Sequence, residues 1–352
     1  MSVLAFIVPG RLDQLTGGYL FDRRVVEGLR AMGRAVDVVE LSGRFPEPDH
    51  TALGAARAAL AALPDRSVAV IDGLALLAFG ELIAAQAHRL SLIGFVHHAL
   101  ADETGLNEGE RRRVAEREAA LLRHLDGVIC PSQATARAVA AYGVAAERVA
   151  VAPPGVAKPS RLARRRPGRG VIELLSVATV TPRKGHLLLL DALTTLADRP
   201  WRLRAIGSLT RDPATAAALR YEIGRRGLKA RFALEGEWPP ERLGEAYAEA
   251  HGFVLASYHE GYGMALAEAL AHGLPVIATT AGAIPDTVPA SAALLVSPGD
   301  AAALARALAR FLDEPKLRAA LAAGARAAAT RLPDWASAVQ GWARALDRLT
   351  AP

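Results

Sequence analysis

FVLASYHEGYGMALAEALAHGLPVIAT, residues 253–279, holds a strand, a glycine loop and a helix in that order. Phe253–Ala256 is apolar at every position, which marks a strand covered on both faces, as in a parallel sheet. The loop Glu260-Gly261-Tyr262-Gly263 follows, and the helix begins at about Met264. Backbone N–H groups at a helix start form an anion site, and glycines let a phosphate or a sugar approach the chain. Glu260 falls in the loop and Glu268 about one turn into the helix, so the two carboxylates bracket the loop. A carboxylate accepts two hydrogen bonds in a geometry that suits vicinal diols, one for a sugar and one for a ribose. Two glutamates at this spacing alone would be solvated turn residues; the strand–loop–helix setting argues for a site.

Outward from this unit, short apolar runs alternate with helical patterns. Strands are expected at Val3–Val8, Val36–Leu41, Val68–Asp72, Leu92–Val96 and Gly127–Cys130. A second series runs Ile172–Val177, Arg202–Ile206, Arg231–Leu234, Phe253–Ala256, Val276–Ala278 and Leu294–Val296. Helical stretches such as Tyr19–Met32 and Glu108–Leu125 lie between strands, and three helices close the chain near 301–313, 315–329 and 334–349. Ser132 stands where the N-cap of the helix after the fifth strand should be. Between the series, Lys158–Gly170 (KPSRLARRRPGRG) has six basic residues, two prolines and no apolar period, the composition of a solvated linker. The expected fold is α/β, with two doubly wound, Rossmann-like domains facing each other. Residues 1–160 form the first, 161–335 the second, and the helix at 336–352 packs back on the first. In such sheets ligands bind beyond the carboxyl ends of the strands, so the expected site is the cleft between the domains.

The net charge of +6 is shared evenly, with +3 in residues 1–166 and +3 beyond. Only four of the 42 basic residues are lysines, and no zinc-finger spacing or RNA-binding aromatic motif accompanies them. A modestly basic surface, with no nucleic-acid partner, is the better reading. Cys130 is the single cysteine, which rules out an intrachain disulfide and suits a reducing cytosol. No signal peptide is legible after Met1, and the uncharged run Ala269–Pro285 is broken by two prolines and two glycines, unlike a membrane span. No Asp-x-Asp pair occurs, so no metal is expected on a diphosphate, and no G-x-G-x-x-G supports a dinucleotide oxidoreductase.

Further motifs sit at strand ends. Arg183 and Lys184, in TPRKG, precede a helix and can reach a diphosphate whose charge grows as a bond to it breaks. Gly17-Gly18 follows the first strand and opens a helix, so its backbone could approach the same group. LIGFVHH ends a strand with His97 and His98, and strand alternation turns the two histidines opposite ways. ERRRVAEREAALLRHL, 110–125, is a basic helix whose charged outer face suffices to explain it, with contact to a membrane surface as the alternative.

EGYGMALAE resembles the E-x7-E signature of the retaining glycosyltransferases of family four, which have the GT-B fold. GGY at 17–19, His97, PRKG at 182–185 and AGAIPD at 281–286 extend the resemblance along nearly the whole chain. It implies that Glu260 contacts the donor sugar, that Glu268 binds the nucleotide ribose, and that Gly261, Tyr262, Gly263 and Met264 line the sugar and diphosphate. It further implies that His97 lies beside the transferring sugar. The family's usual arginine ahead of the lysine is replaced by Thr179, with Arg183 as the substitute; Pro154 and Asp286 are further departures. Trp238, after the Arg231–Leu234 strand, is the neighbour proposed for the base. The resulting expectation is a cytoplasmic, metal-independent enzyme without cofactor that moves a hexose from a UDP-sugar, ahead of GDP, to an acceptor hydroxyl on a small molecule, glycan or lipid. Peripheral contact with the inner membrane face is compatible with it. A GT-B epimerase or phosphorylase, and a non-catalytic sugar-nucleotide sensor, are the alternatives.

Overall fold

The computed structural model describes residues 4–159 and 170–351. The linker expected at 158–170 and the boundary at 160/161 lie largely outside them, as does Val3. The chain divides into two compact units: Met1–Gly155 with Pro333–Pro352, and Val156–Leu332.

The first unit runs β1 (Leu4–Pro9), α1 (Gly17–Ala31), β2 (Val36–Leu41), α2 (His50–Ala61), β3 (Val68–Asp72), α3 (Leu82–Gln86), β4 (Ser91–Phe95), α4 (Glu108–Leu122), β5 (Gly127–Cys130), α5 (Gln133–Ala141) and β6 (Val149–Val151). Its sheet has the order β2-β1-β3-β4-β5-β6 with every pair parallel. The second unit runs β7 (Ile172–Val177), α6 (His186–Thr194), β8 (Trp201–Ile206), α7 (Pro213–Arg225), β9 (Phe232–Leu234), α8 (Pro240–Glu249), β10 (Gly252–Leu255), α9 (Met264–Ala271), β11 (Val276–Thr279), α10 (Ile284–Thr287), β12 (Ala293–Val296), α11 (Ala301–Asp313) and α12 (Pro315–Ala329). Its sheet, also parallel, has the order β12-β11-β10-β7-β8-β9. The central strands are apolar on both faces because helices cover both, so each sheet lies between two packed layers, whereas β2 and β8 carry exposed charges at Asp37, Glu40 and Arg202. β6 is the strand that periodicity does not reveal: three residues before a Pro-Pro pair are too few to show a period.

Several helix starts are legible from their caps. Ser132 accepts a hydrogen bond from the Thr135 N–H, and Asn107 and Glu110 form a reciprocal capping box on α4. The inward stripe of α4 is Val114, Glu118 and Leu122, so its apolar side is spent inside the unit and its arginines face out. Burial pushes the Glu118 carboxyl up to about 7, although the Leu100 N–H donates to it. Among the described residues, no helix is long and apolar enough to cross a membrane.

The last helix, α13 (Trp335–Leu349), returns to the first unit. Trp342 is fully buried there, its ring 6.0 Å from Phe6 and 5.6 Å from Phe95. Gly28 on α1 makes room for Val339, since a Cβ at that position would lie 2.6 Å from the valine methyls. Arg34 closes the contact with a two-pronged bond to Asp347 at 2.7 Å per arm. Trp342→Ala removes a large aromatic from this layer and should lower the stability of the first unit by about 3–5 kcal/mol, measured by urea unfolding.

Candidate functional site

Strand order in the second unit reverses between β7 and β10, and the crevice outside the carboxyl ends at such a point is where doubly wound sheets bind ligands. Two loops meet there. After β7, Pro182–Lys184 forms a 3-10 turn that ends in Gly185 with φ +66°. A Cβ on Gly185 would lie 2.0 Å from the Ala256 carbonyl oxygen, so the turn rests directly on the backbone of the loop after β10. The Tyr258 N–H donates to the Arg183 carbonyl at 2.8 Å, and Arg183 Nη1 donates to the His259 carbonyl at 3.0 Å. These contacts place Lys184 Nζ 2.7 Å from Glu260 Oε1. The Ser257 hydroxyl donates to the same oxygen at 2.6 Å.

The loop Glu260–Gly263 is fixed from the other side by the AGAIPD turn. Gly282 packs against the Glu260 carbonyl with no space for a side chain, and the Ala283 N–H donates to that carbonyl at 2.8 Å. Thr287 donates to the Tyr262 carbonyl at 2.6 Å. Gly263, at φ +87°, turns the chain into α9 at Met264, whose first N–H groups have no intrahelical acceptor. Burial alone would raise the Glu260 carboxyl; Lys184 and Arg183 outweigh it and hold the group below its ordinary value. Glu260 is buried and Lys184 half-buried, so removing Lys184 leaves a buried carboxylate without its nearest counter-charge. Lys184→Ala will therefore cost folding stability as well as function, contrary to what a free loop cation would show.

Glu268 lies half-buried on α9 and takes a 2.8 Å hydrogen bond from the Tyr247 hydroxyl on Oε2. Burial raises its pKa and the tyrosine bond opposes that rise. Tyr247 is itself buried, with the His272 ring stacked 4.9 Å away. His186, immediately after Gly185, is also buried, and burial lowers it to about 4, so it stays neutral beside Lys184.

In the first unit the corresponding reversal falls between β1 and β3. α1 opens with Gly17 and Gly18 after β1, Asp72 ends β3, and His97 follows β4. His97 Nε2 lies 2.9 Å from Asp22 Oδ1 and 3.2 Å from Asp72 Oδ2, with both carboxylates buried. Asp72 Oδ1 accepts from the Leu74 N–H at 2.7 Å, whereas Asp22 Oδ2 has no hydrogen-bond partner among the described residues. Phe95 packs 4.5 Å from the His97 ring. A Cβ on Gly18 would sit 3.5 Å from His97 Cδ2, so the glycine leaves that edge of the ring uncovered. Burial would lower the His97 pKa, but the two carboxylates prevail and push it up to about 10; burial and Asp72 push Asp22 up to about 7. His98 takes a separate environment, with Nε2 3.4 Å from Glu103. Among the described residues, Asp22, Asp72 and His97 are the only group able to hold a metal ion, their ligand atoms all lying within 4.8 Å of one another.

Trp238 is nearly buried, and the guanidinium carbons of Arg204 and Arg242 lie 4.6 and 3.6 Å from its ring centroid. Arginine stacking thus fixes the indole, whose proposed place beside the base is untouched by these contacts. Sequence reasoning missed Asp22, Asp72, Ser257 and Tyr247. Signals for two of them were present: Asp22 shares the inward stripe of α1 with Val25, Val26 and Leu29, and Asp72 is a carboxylate closing the apolar run VAVID.

Two doubly wound units with these loops at their carboxyl edges define the GT-B architecture. The chain belongs to glycosyltransferase family four: the model described as Glycosyltransferase Family 4 matches residues 22–158, and that described as Glycosyl transferases group 1 matches 164–328. A D-inositol 3-phosphate glycosyltransferase of Acidothermus cellulolyticus is 31% identical over 274 residues, covering 72% of this chain and 60% of that relative. The chain thus spans less than two thirds of that relative's length. Among solved structures, sucrose-phosphate synthase of Thermosynechococcus elongatus superposes with a TM-score of 0.83 at 21% identity, over 100% of both chains. The Anabaena protein Alr3699/HepE, in complex with UDP-glucose, gives 0.77 at 19% identity, over 99% of this chain and 100% of that one. At these identities the structures establish the shared fold.

Tyr247→Phe deletes one hydroxyl and leaves Glu268 Oε2 without its donor. If Glu268 binds the nucleotide, the variant should lose about 1–3 kcal/mol of affinity for bare UDP by calorimetry. Glu268→Gln should lose a comparable amount, and Glu260→Gln much less.

Proposed function

We propose that the protein transfers a hexose from a nucleoside-diphosphate sugar, with UDP as the nucleotide, to an acceptor hydroxyl with retention of the anomeric configuration and without a metal ion. The observation that carries this reading is the Lys184–Glu260 pair at the β7/β10 reversal, set between two glycine loops and the start of α9. The likeness to a UDP-glucose complex and to an inositol phosphate glycosyltransferase supports it.

In this reading Glu260 binds hydroxyls of the sugar with the oxygen that Lys184 and Ser257 leave available. Glu268, oriented by Tyr247, binds the ribose diol. Lys184, paired with Glu260, brings a fixed positive charge to the loop where the diphosphate is proposed to lie. Arg183 and the first N–H groups of α9 add to that positive field. As the bond from C1 to the diphosphate oxygen breaks, negative charge grows on the leaving group, where these fixed donors stabilise it. The acceptor oxygen bonds to C1 on the same face, and its proton passes to the departing diphosphate. No side-chain nucleophile is needed. His97 is proposed to bind the sugar.

The test is a screen of nucleotide sugars for thermal stabilisation, followed by incubation with candidate acceptors and NMR of the product's anomeric centre. A product of inverted configuration, or donor conversion only by epimerisation or phosphorolysis, contradicts the reading. Lys184→Met should lose turnover by about a hundredfold or more, and stability by about 1–3 kcal/mol, since Ser257 and Arg183 still face Glu260. Adding Glu260→Gln to it should restore part of the stability and none of the turnover. Turnover should also survive excess EDTA, because cations and helix N–H groups already neutralise the diphosphate; abolition by chelation and rescue by magnesium or manganese would reject the metal-free route.

A further inference from the structure

The His97 ring is held by one nitrogen. Nε2 faces Asp22 of α1 and Asp72 at the end of β3, at 2.9 and 3.2 Å, and both carboxylates are at most 2% exposed. Two buried carboxylates around one ring nitrogen require a proton there, which fixes Nε2 as a donor and leaves Nδ1 as the nitrogen available to a ligand. They also concentrate negative charge in a low-dielectric setting, Asp72 carrying it while burial and Asp72 draw Asp22 upward, with Asp22 Oδ2 lacking any hydrogen bond among the described residues. One positive charge on the ring compensates most of that cost. Phe21 and Phe95 bring aromatic carbon to the ring, and the Thr135 hydroxyl donates to the His97 carbonyl.

We propose that Asp22 and Asp72 are positioning residues that keep His97 as an imidazolium, so that it presents Nδ1–H to an oxygen of the bound sugar and acts as a cationic donor, never as the base. This deepens the transferase reading and rests on it for the identity of the ligand, but the charge state of the ring is a property of the free protein. It predicts the sign of the pH dependence. A cationic donor is lost as pH rises through its own pKa, whereas a base is gained. In the wild type that loss lies well above the neutral range, because Asp22 and Asp72 hold the ring's proton. Removing either carboxylate's charge draws the histidine back toward its ordinary value of 6.5, so the loss of turnover moves into the neutral range.

The experiment uses the full chain labelled with 15N-histidine, the variants Asp22→Asn and Asp72→Asn, and His97→Gln to assign the signals. The free wild type should show both His97 nitrogens protonated from about pH 6 to about pH 8.5, and each variant should show the neutral ring over the upper part of that range. At about pH 8 the variants should turn over about 10–100-fold more slowly, because a histidine near its ordinary pKa keeps only a few per cent of its charge there, and should recover part of the loss at lower pH. Bare UDP affinity should stay within about twofold. A neutral wild-type ring at pH 7, variants that unfold more readily with unshifted ring signals, or wild-type turnover that climbs through pH 6.5 would each overturn the proposal. So would stoichiometric binding of zinc or manganese by the wild type that either variant abolishes, since the trio would then be a metal site. If the ring is cationic but no nucleotide sugar is turned over, the transferase reading fails while the assignment of Asp22 and Asp72 as the groups that charge His97 stands.

Discussion

Backbone packed directly on backbone at the carboxyl edge of the second sheet is the constraint on which its candidate site depends. Gly185 lies on the Ala256 carbonyl, Gly207 on that of Ala178, and Gly282 on that of Glu260, with would-be Cβ distances of 2.0, 2.0 and 2.3 Å. At all three the chain also has positive φ, so a side chain is excluded by conformation as well as by space. No flexible side chain intervenes between one loop and the next. A loop that rests on its neighbour's carbonyl cannot drift independently, and the side chains it carries inherit that precision. The Lys184–Glu260 separation is thus set by the main chain rather than by the long, soft lysine stem.

Each unit treats charge at its strand reversal in the same physical way. A carboxylate that burial would neutralise is matched with a cation drawn from a neighbouring strand's loop: Lys184 for Glu260, His97 for Asp22 and Asp72. The outcomes differ because the ratios differ. One carboxylate with two nearby cations is pushed below its ordinary range. One imidazole with two carboxylates is pushed far above its own, and the surplus negative charge drives Asp22 upward as well.

What the sequence made legible follows from which signals are local. β2, β3, β5 and β7 begin and end where their apolar runs do, and α11 and α12 follow their period and caps. The glycine loop and the two glutamates were legible because strand, glycines and helix occur within one continuous stretch. Partners brought together by topology were not. Asp22 and His97 are 75 positions apart, and Tyr247 and Glu268 are 21 apart on different helices. Lys184 and Glu260 were each expected at the donor, but only the crossing of β7 beside β10 makes them an ion pair, which changes the meaning of mutating either. The surroundings of Trp238 are non-local in the same way, since the arginines over its ring come from β8 and α8.

The return of α13 sets an order on biosynthesis. Every residue of the second unit leaves the ribosome before Trp342 does, while β1, whose Phe6 packs against that tryptophan, is made before the second unit begins. The second unit can therefore complete its core during translation. The first must wait, the aromatic face of Phe6, Phe21 and Phe95 lacking Trp335 and Trp342, until α13 has followed the whole second unit out of the ribosome. That interval is when a chaperone would have the most apolar surface to hold.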